Sequence, residues 1–201
     1  IDALFNTSLI DWYINSIGTS VIITAVVLVT GMMCAYALSQ MRFPGRKVLY
    51  LVVLGSFMVP AQALVVPQFV LMNDLGLINR WGGIILPQLV VPVVIIVYKQ
   101  FFDAVPKEMK EAVVLDGGTD YTLLFRVYLP LNWGITTALG IITFIMSWNA
   151  FLWPFLVITT EDMMTIPVGI TQVNDAFGVA YARIMSVALL AAAPVVIAYL
   201  I

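Results

Sequence analysis

The residues able to do chemistry in this 201-residue chain fall into two groups. The first is a charged stretch, Lys107 to Leu131, "KEMKEAVVLDGGTDYTLLFRVYLPL", which holds seven of the chain's 20 Asp, Glu, Lys and Arg residues. The second is a set of polar and aromatic residues inside apolar runs: Gln88, Ser147, Trp148, Asn149 and Trp153. Polar groups are expensive in lipid and mark candidate pathways there. Aromatic faces stack on sugar rings and an amide hydrogen-bonds hydroxyls, so these five could line a route for a polyhydroxylated solute. The competing reading is that they bond neighbouring helices, with Trp153 as an interfacial anchor. Covalent chemistry is poorly supplied. The chain has no histidine, no acidic pair lies within the apolar runs, and no GxxxxGK[ST] phosphate loop is present. No His metal site is available, and the chain cannot itself be an ATPase. The single cysteine, Cys34, excludes an intrachain disulfide and reads as a small core residue.

The elements that must position these groups are membrane spans. The mean hydropathy is +1.05, and 62% of residues are hydrophobic against 10% charged. About 25% charged is usual for a soluble domain. About 18 uncharged apolar residues suffice to cross a bilayer core of roughly 30 Å. Five runs qualify, predicting spans over about 12–40, 48–72, 81–98, 131–158 and 183–201. None alternates as a membrane β-strand would. The expected fold is an all-α polytopic bundle, a single transmembrane domain over residues 1–201, with segment 103–130 outside the bilayer. Nothing in the chain offers a basic face for nucleic acid.

Orientation follows from the cations, which favour the cytoplasmic side of short loops. Arg42, Arg46 and Lys47 follow the first span, and Lys99, Lys107, Lys110 and Arg126 follow the third. These are seven of the nine basic residues. Both loops are therefore expected in the cytoplasm, with the chain's start outside and its end inside. A start outside without a cationic signal region suggests an upstream span and six in all. Ser16, Ser20 and Thr24 make a small-residue stripe, read as intrachain helix packing over a subunit contact. Pro60, Pro67, Pro87 and Pro92 should break or kink the second and third spans. That fits a pathway that opens and closes, and equally a static kinked bundle. The acidic segment Thr159–Ala182 should lie outside.

The charged stretch reads as two short helices. Pro106 suits a helix start, Gly117 and Gly118 suit a stop, and Thr119 or Asp120 suits the next cap. Tyr121, Leu124, Phe125 and Tyr128 then form one apolar stripe, and Pro130 should stop the helix. A solvated loop does not account for the stripe or the caps. An interfacial helix accounts for the stripe but sets Glu108, Glu111 and Asp116 against anionic lipid. A protein partner with a groove accounts for both.

"EAVVLDGGTDYTLLFRVYLP" resembles the EAA signature of permease subunits of bacterial ABC importers: Glu-Ala-Ala, three residues, Gly, nine residues, Ile, one residue, Leu-Pro. Here Glu111-Ala112-Val113, Gly117, Val127 and Leu129-Pro130 stand in register. Val113 replaces Ala, Val127 replaces Ile, and Gly118 stands where Ala is common. "NSIGTS", "AYALSQMRFPGR", "LGLIN", "VPKEMKEA" and "SWNAFLWP" extend the likeness along the chain. They are similar to the carbohydrate-uptake branch, in particular the second permease of maltose and glycerol-3-phosphate systems.

The resemblance implies a bacterial inner-membrane protein and a coupling helix pair docked on a cytoplasmic ATPase dimer. Glu108, Glu111, Ala112, Asp116, Gly117, Tyr121, Phe125, Leu129 and Pro130 would make that coupling element. Glu111 would supply the charged contact, Gly117 the bend, and the Tyr121–Tyr128 stripe the hold on the bundle. It also implies a second permease subunit and a solute-binding protein outside, facing Thr159–Ala182. ATP and Mg would be bound by the ATPase, with no cofactor on this chain. The rival readings are a passive scaffold subunit and an ion-coupled secondary transporter. The latter would place ionisable residues inside the spans, and the five charge-free windows, the last of them Ile184–Ile201, hold none.

Overall fold

The computed structural model describes residues 8–171 continuously, together with 185, 189, 191, 192 and 194–197. Among these the regular structure is helical and no strand occurs. Helix α1, Leu9–Gln40, is unbroken over 32 residues. At 1.5 Å per residue it is about 48 Å long, more than a bilayer core of roughly 30 Å requires. Among the described residues it alone is long and apolar enough to cross a membrane. The second and third expected spans pass that test as broken pairs. The second is α2 (Arg46–Phe57) followed, after a break at residues 58–60, by a 3-10 turn (Ala61–Leu64) and α3 (Val65–Asp74). The third is α4 (Trp81–Ile85) and a 3-10 turn (Leu86–Gln88), then α5 (Pro92–Asp103). Pro92 opens α5 and Val91 before it is extended at φ −115°, ψ 103°, the conformation a following proline imposes.

The charged segment follows as α6 (Lys107–Leu115), α7 (Asp120–Leu123), a π-helical turn (Leu124–Tyr128) and α8 (Leu129–Leu131). Beyond it stand α9 (Trp133–Trp148), α10 (Leu152–Val157), a 3-10 turn (Glu161–Met163) and α11 (Ile166–Ile170). Two expectations need correction here. Pro130 does not stop the helix: it sits in the first turn of α8, where a missing N–H leaves little unpaired, and the chain turns sharply at Asn132 instead. Nor is the fourth span one helix over 131–158. It ends at Trp148, where the Asn149 side-chain amide donates back to the Ile145 carbonyl and the Ala150 N–H to Ser147. The expected fifth span, 183–201, lies largely outside the described residues.

The helices sort into two compact units. One comprises residues up to Thr24, Ala61–Gln88 and Ile141 onward. Its best-tied joint is the N-terminal end of α1. Asn15, 5% exposed, donates to the Asp162 and Met164 carbonyls at 2.8 and 3.0 Å and accepts from the Trp81 indole N–H at 2.7 Å. Trp12 donates to the Glu161 carbonyl, and Ser16 Oγ accepts the Ile166 N–H. Gly169 lies so close under Trp12 that a Cβ there would overlap the indole ring. The small-residue stripe therefore packs within the chain, as the spacing suggested. The same joint buries much of the described part of the acidic segment: Met164, Thr165, Ile166 and Val168 face inward, and only a short edge including Glu161 and Asp162 is exposed. The rest of that segment, 172–182, lies outside the described residues.

The other unit comprises Ala25–Pro60 and Leu89–Gly140. Its core is a run of aromatic rings. Tyr36 meets Tyr128 edge-on at 5.4 Å, Tyr128 meets Phe102 at 5.2 Å, and Phe102 meets Tyr98 at 5.6 Å. The first two are edge contacts, the third is tilted, and aromatic pairs of this kind contribute about 0.5–1.5 kcal/mol each beyond area burial. No residue of α2 is buried, and its Val48, Leu51, Val52 and Phe57 offer apolar surface outward.

Candidate functional site

The charged segment is assembled from local signals. Pro106 is the N-cap residue of α6, at φ −57°. At the other end Asp116 is the C-cap and Gly117 takes φ +76°. The Gly118 N–H reaches the Val113 carbonyl at 2.8 Å and the Gly117 N–H the Val114 carbonyl at 3.0 Å. That pair of bonds is a Schellman stop, and the left-handed residue it needs is most easily glycine. Thr119 caps α7 by accepting the Thr122 N–H, with Asp120 in the first turn where the helix dipole favours a carboxylate.

Two of the three departures from the signature, at 113 and 118, touch each other. A Cβ on Gly118 would overlap a Val113 methyl and lie 2.9 Å from the Val113 carbonyl oxygen. Valine at the first position and glycine at the second are thus a size exchange across the bend. Gly118→Ala is expected to destabilise the segment by about 1–3 kcal/mol through overpacking. Adding Val113→Ala should recover much of that loss. Thermal unfolding of the four members of the cycle reads the non-additivity.

The apolar stripe divides. Leu123, Leu124 and Tyr128 are buried, whereas Tyr121 is 68% exposed and stacks on exposed Phe125 with ring centroids 6.5 Å apart. Of the Tyr121–Tyr128 stripe that the resemblance implied would hold the segment to the bundle, Tyr121 and Phe125 therefore face outward and only Leu124 and Tyr128 pack inward. The π-helical turn accommodates an extra residue per turn and rotates the face. On α6 the exposed residues include Glu108, Met109, Glu111, Ala112, Val114 and Leu115, with Leu115 exposed at 87%. Asp116 is also exposed, Leu129 is half-buried and Pro130 is exposed. Burial, reinforced by the Asp103 carboxylate, raises the Tyr128 phenol above its usual range, so it stays neutral.

An open cleft of about 1080 Å3 lies beside α6. The end of α1 and the following loop, Ser39 to Arg42 with Arg46, form one wall; Lys107, Lys110, Glu111, Val114 and Leu115 form the other. Two of its cations are committed. Arg46 donates to the Ser39 and Met41 carbonyls, and Lys110 Nζ to the Gln40 carbonyl at 2.7 Å. α1 has no basic residue in its own last turn, so these two complete its negative end. Further bonds close around the same turn: Tyr36 to Asp120 at 2.7 Å, Ser39 to Asp103 at 2.6 Å, and Gln40 to the Phe102 carbonyl at 3.1 Å. Sequence reasoning missed this set of partners. Its one visible trace was the cluster of cations just past the end of α1.

The five pathway candidates all fall in the first unit. Trp148 is 3% exposed, donates to the Ala191 carbonyl and packs on Tyr13 and Phe144. It is a packing residue and presents no free ring face. Trp153, half-buried, donates its indole N–H to the Gly83 carbonyl. Gln88, also half-buried, donates to the Ile84 carbonyl one turn back. Ser147 is half-buried and Asn149 exposed. On this geometry Asn149, with Ser147 beside it, is the most available hydrogen-bonding group of the five.

A further fixed point was legible only as the motif "LGLIN". Gly76 and Asn79 both take left-handed backbones, φ +65° and +57°. The Asn79 side-chain oxygen accepts the Thr159 and Thr160 N–H groups, and its own N–H reaches the Val157 carbonyl.

Comparison with known proteins agrees with this arrangement. The family described as "Binding-protein-dependent transport system inner membrane component" matches residues 9–201. The arabinooligosaccharides transport system permease protein AraQ of Halalkalibacterium halodurans is 34% identical, over 94% of this chain and 68% of its own. The lactose transport system permease protein LacG of Rhizobium radiobacter is 29% identical, over 98% and 71%. The sn-glycerol-3-phosphate transport system permease protein UgpE of Brucella abortus is 29% identical, over 80% and 57%. In fold, a chain from the crystal structure of a bacterial ABC transporter involved in import of the acidic polysaccharide alginate superposes with a TM-score of 0.88, at 24% identity, covering 98% of this chain and 75% of that one. The chain belongs to the family of binding-protein-dependent transport system inner membrane components: it is a permease subunit and not an enzyme.

Proposed function

We propose that this chain is a permease subunit of an ATP-driven importer for a sugar or a related polyol or glycerophosphate. In this reading α6 and α7 dock on a cytoplasmic ATPase dimer, which binds ATP and Mg; this chain holds no cofactor. A second permease completes the path, and a solute-binding protein delivers the solute at the outer face near Glu161 and Asp162. The relatives' names span oligosaccharides, a disaccharide and a glycerol phosphate. The solute class assigned is therefore the polyhydroxylated chemistry they share, for which Asn149 and Ser147 are the candidate contacts.

The observation that carries the reading is α6 itself. A short helix closed at both ends exposes Val114 and Leu115 beside Glu108, Glu111 and Asp116. Exposed apolar knobs flanked by charges fit a partner's groove. Closure of the ATPase dimer would push this element, and the broken spans would switch access from outside to inside. No bond in the solute is made or broken.

Two measurements test this. In a Cys34→Ser background, Leu115→Cys should cross-link to the ATPase in the assembled complex. Glu111→Lys should leave the chain in the membrane but lower uptake by about tenfold or more, as loss of a charged interface contact does. A Leu115 cysteine that reacts only with lipid-borne reagents, or Glu111→Lys with full uptake, would overturn the assignment.

A further inference from the structure

The bent segment does more than meet a partner: both its limbs grip one turn of α1. Lys110 of α6 holds the Gln40 carbonyl at 2.7 Å. Asp120 of α7 accepts the Tyr36 hydroxyl at 2.7 Å, and Tyr128 meets the Tyr36 ring edge-on at 5.4 Å. Tyr36 is 3% exposed, whereas Asp120 is exposed and lines the open cleft, so the bond is buried on the donor's side alone. A hydroxyl donated to a carboxylate is charge-assisted and stronger than a bond between neutral groups. The gripped turn belongs to the only described helix that is long and unbroken enough to span a membrane. The broken pairs can absorb a push at their interruptions, whereas an unbroken helix moves as a rod.

We infer that the Tyr36–Asp120 bond, seated on Tyr128 and backed by Lys110, is the joint that makes α1 move with the docked segment. Tyr36 and Asp120 are positioning residues in this sense. They touch neither nucleotide nor solute. This inference rests on the docking reading above, and its failure is distinguishable from the failure of that reading.

The test uses the complete transporter with its ATPase, in lipid, and MgATP with vanadate as the probe. Nitroxide labels go on Lys107→Cys, an exposed position of α6, and on Val29→Cys, an exposed position of α1, in the Cys34→Ser background, and the Leu115→Cys cross-link is read in a separate, unlabelled preparation. With the joint intact, the distance between the labels stays the same before and after vanadate trapping. In Tyr36→Phe, which removes one hydroxyl and keeps the ring, that distance shifts on trapping while basal ATP hydrolysis and the Leu115 cross-link persist. Asp120→Ala should behave likewise. Asp120→Asn keeps an acceptor oxygen and should restore the invariant distance, an outcome that simple loss of folding would not give. The double variant Tyr36→Phe/Asp120→Ala should be no worse than either single one. A distance that changes in the parent chain, or one that stays fixed in Tyr36→Phe, overturns the joint alone. Absence of the Leu115 cross-link in the parent overturns the docking reading and the joint with it.

Discussion

A chain carrying Gly117→Pro is expected to reach the membrane and assemble but to move almost no solute. Three costs fall at one place. Proline needs φ near −65° where Gly117 holds +76°. The substitution deletes the N–H that reaches the Val114 carbonyl. It also disfavours the near-helical conformation of Asp116, φ −77° and ψ 5°, because a residue before proline is pushed towards extended backbone. The sum is at least about 3 kcal/mol, applied to a surface segment whose unfolding need not unfold the spans. Uptake in proteoliposomes is expected to fall by about 100-fold or more, the factor such an energy implies. ATP hydrolysis should no longer respond to the solute-loaded binding protein. Gly117→Ala, strained by about 1–2 kcal/mol in the same left-handed backbone, should fall between. Normal stimulation of hydrolysis in the proline variant would mean that the bend is not part of the coupling path.

The second large effect is expected at the opposite end of α1. Asn15→Leu has nearly the volume of the native residue but none of its polar atoms. It would strand the Trp81 N–H and the Asp162 and Met164 carbonyls in a site where Asn15 is 5% exposed. Unpaired buried groups cost about 1–3 kcal/mol each. A total of about 3–5 kcal/mol is reasonable, since some carbonyls regain water. That corresponds to a fall in the unfolding midpoint of roughly 6–20 °C for a chain of this size, readable by tryptophan fluorescence in detergent. Insertion and ATPase binding at the other end should survive. An unchanged midpoint would show that the 161–166 segment stays on α1 without Asn15.

Much of this molecule is legible in its residue order, because in lipid the rules are few. Among the described residues the first charge-free run is one helix long enough to cross a membrane and the next two are broken pairs, with prolines at the interruptions: residues 58–60 and 89–91 are interrupted as Pro60 and Pro92 require. Gly117 reads as a stop because a left-handed turn has few other candidates. What stays hidden has a common cause. Tyr36 and Asp120 are 84 residues apart in the chain, and no local pattern announces a bond across such a gap. Asn15 looks like one more small polar residue until residues 161–166 fold over it. Trp148 and Asn149 are neighbours of similar promise in the sequence, yet one is walled in by Tyr13 and Phe144 and the other is open. Pro130 misleads because it can either end a helix or sit in the first turn of one.

The π-helical turn at Leu124–Tyr128 has a bearing on chain length. Each residue added to or removed from a helix rotates everything beyond it by about 100°. Here the phase decides which rings look outward, Tyr121 and Phe125, and which side chains look inward, Leu124 and Tyr128. The nine-residue interval from Gly117 to Val127 is therefore a rotational setting as well as a length. Surface segments ordinarily absorb insertions and deletions with little harm, but a single-residue change in length here should turn these rings out of register, as a missing tooth does a gear.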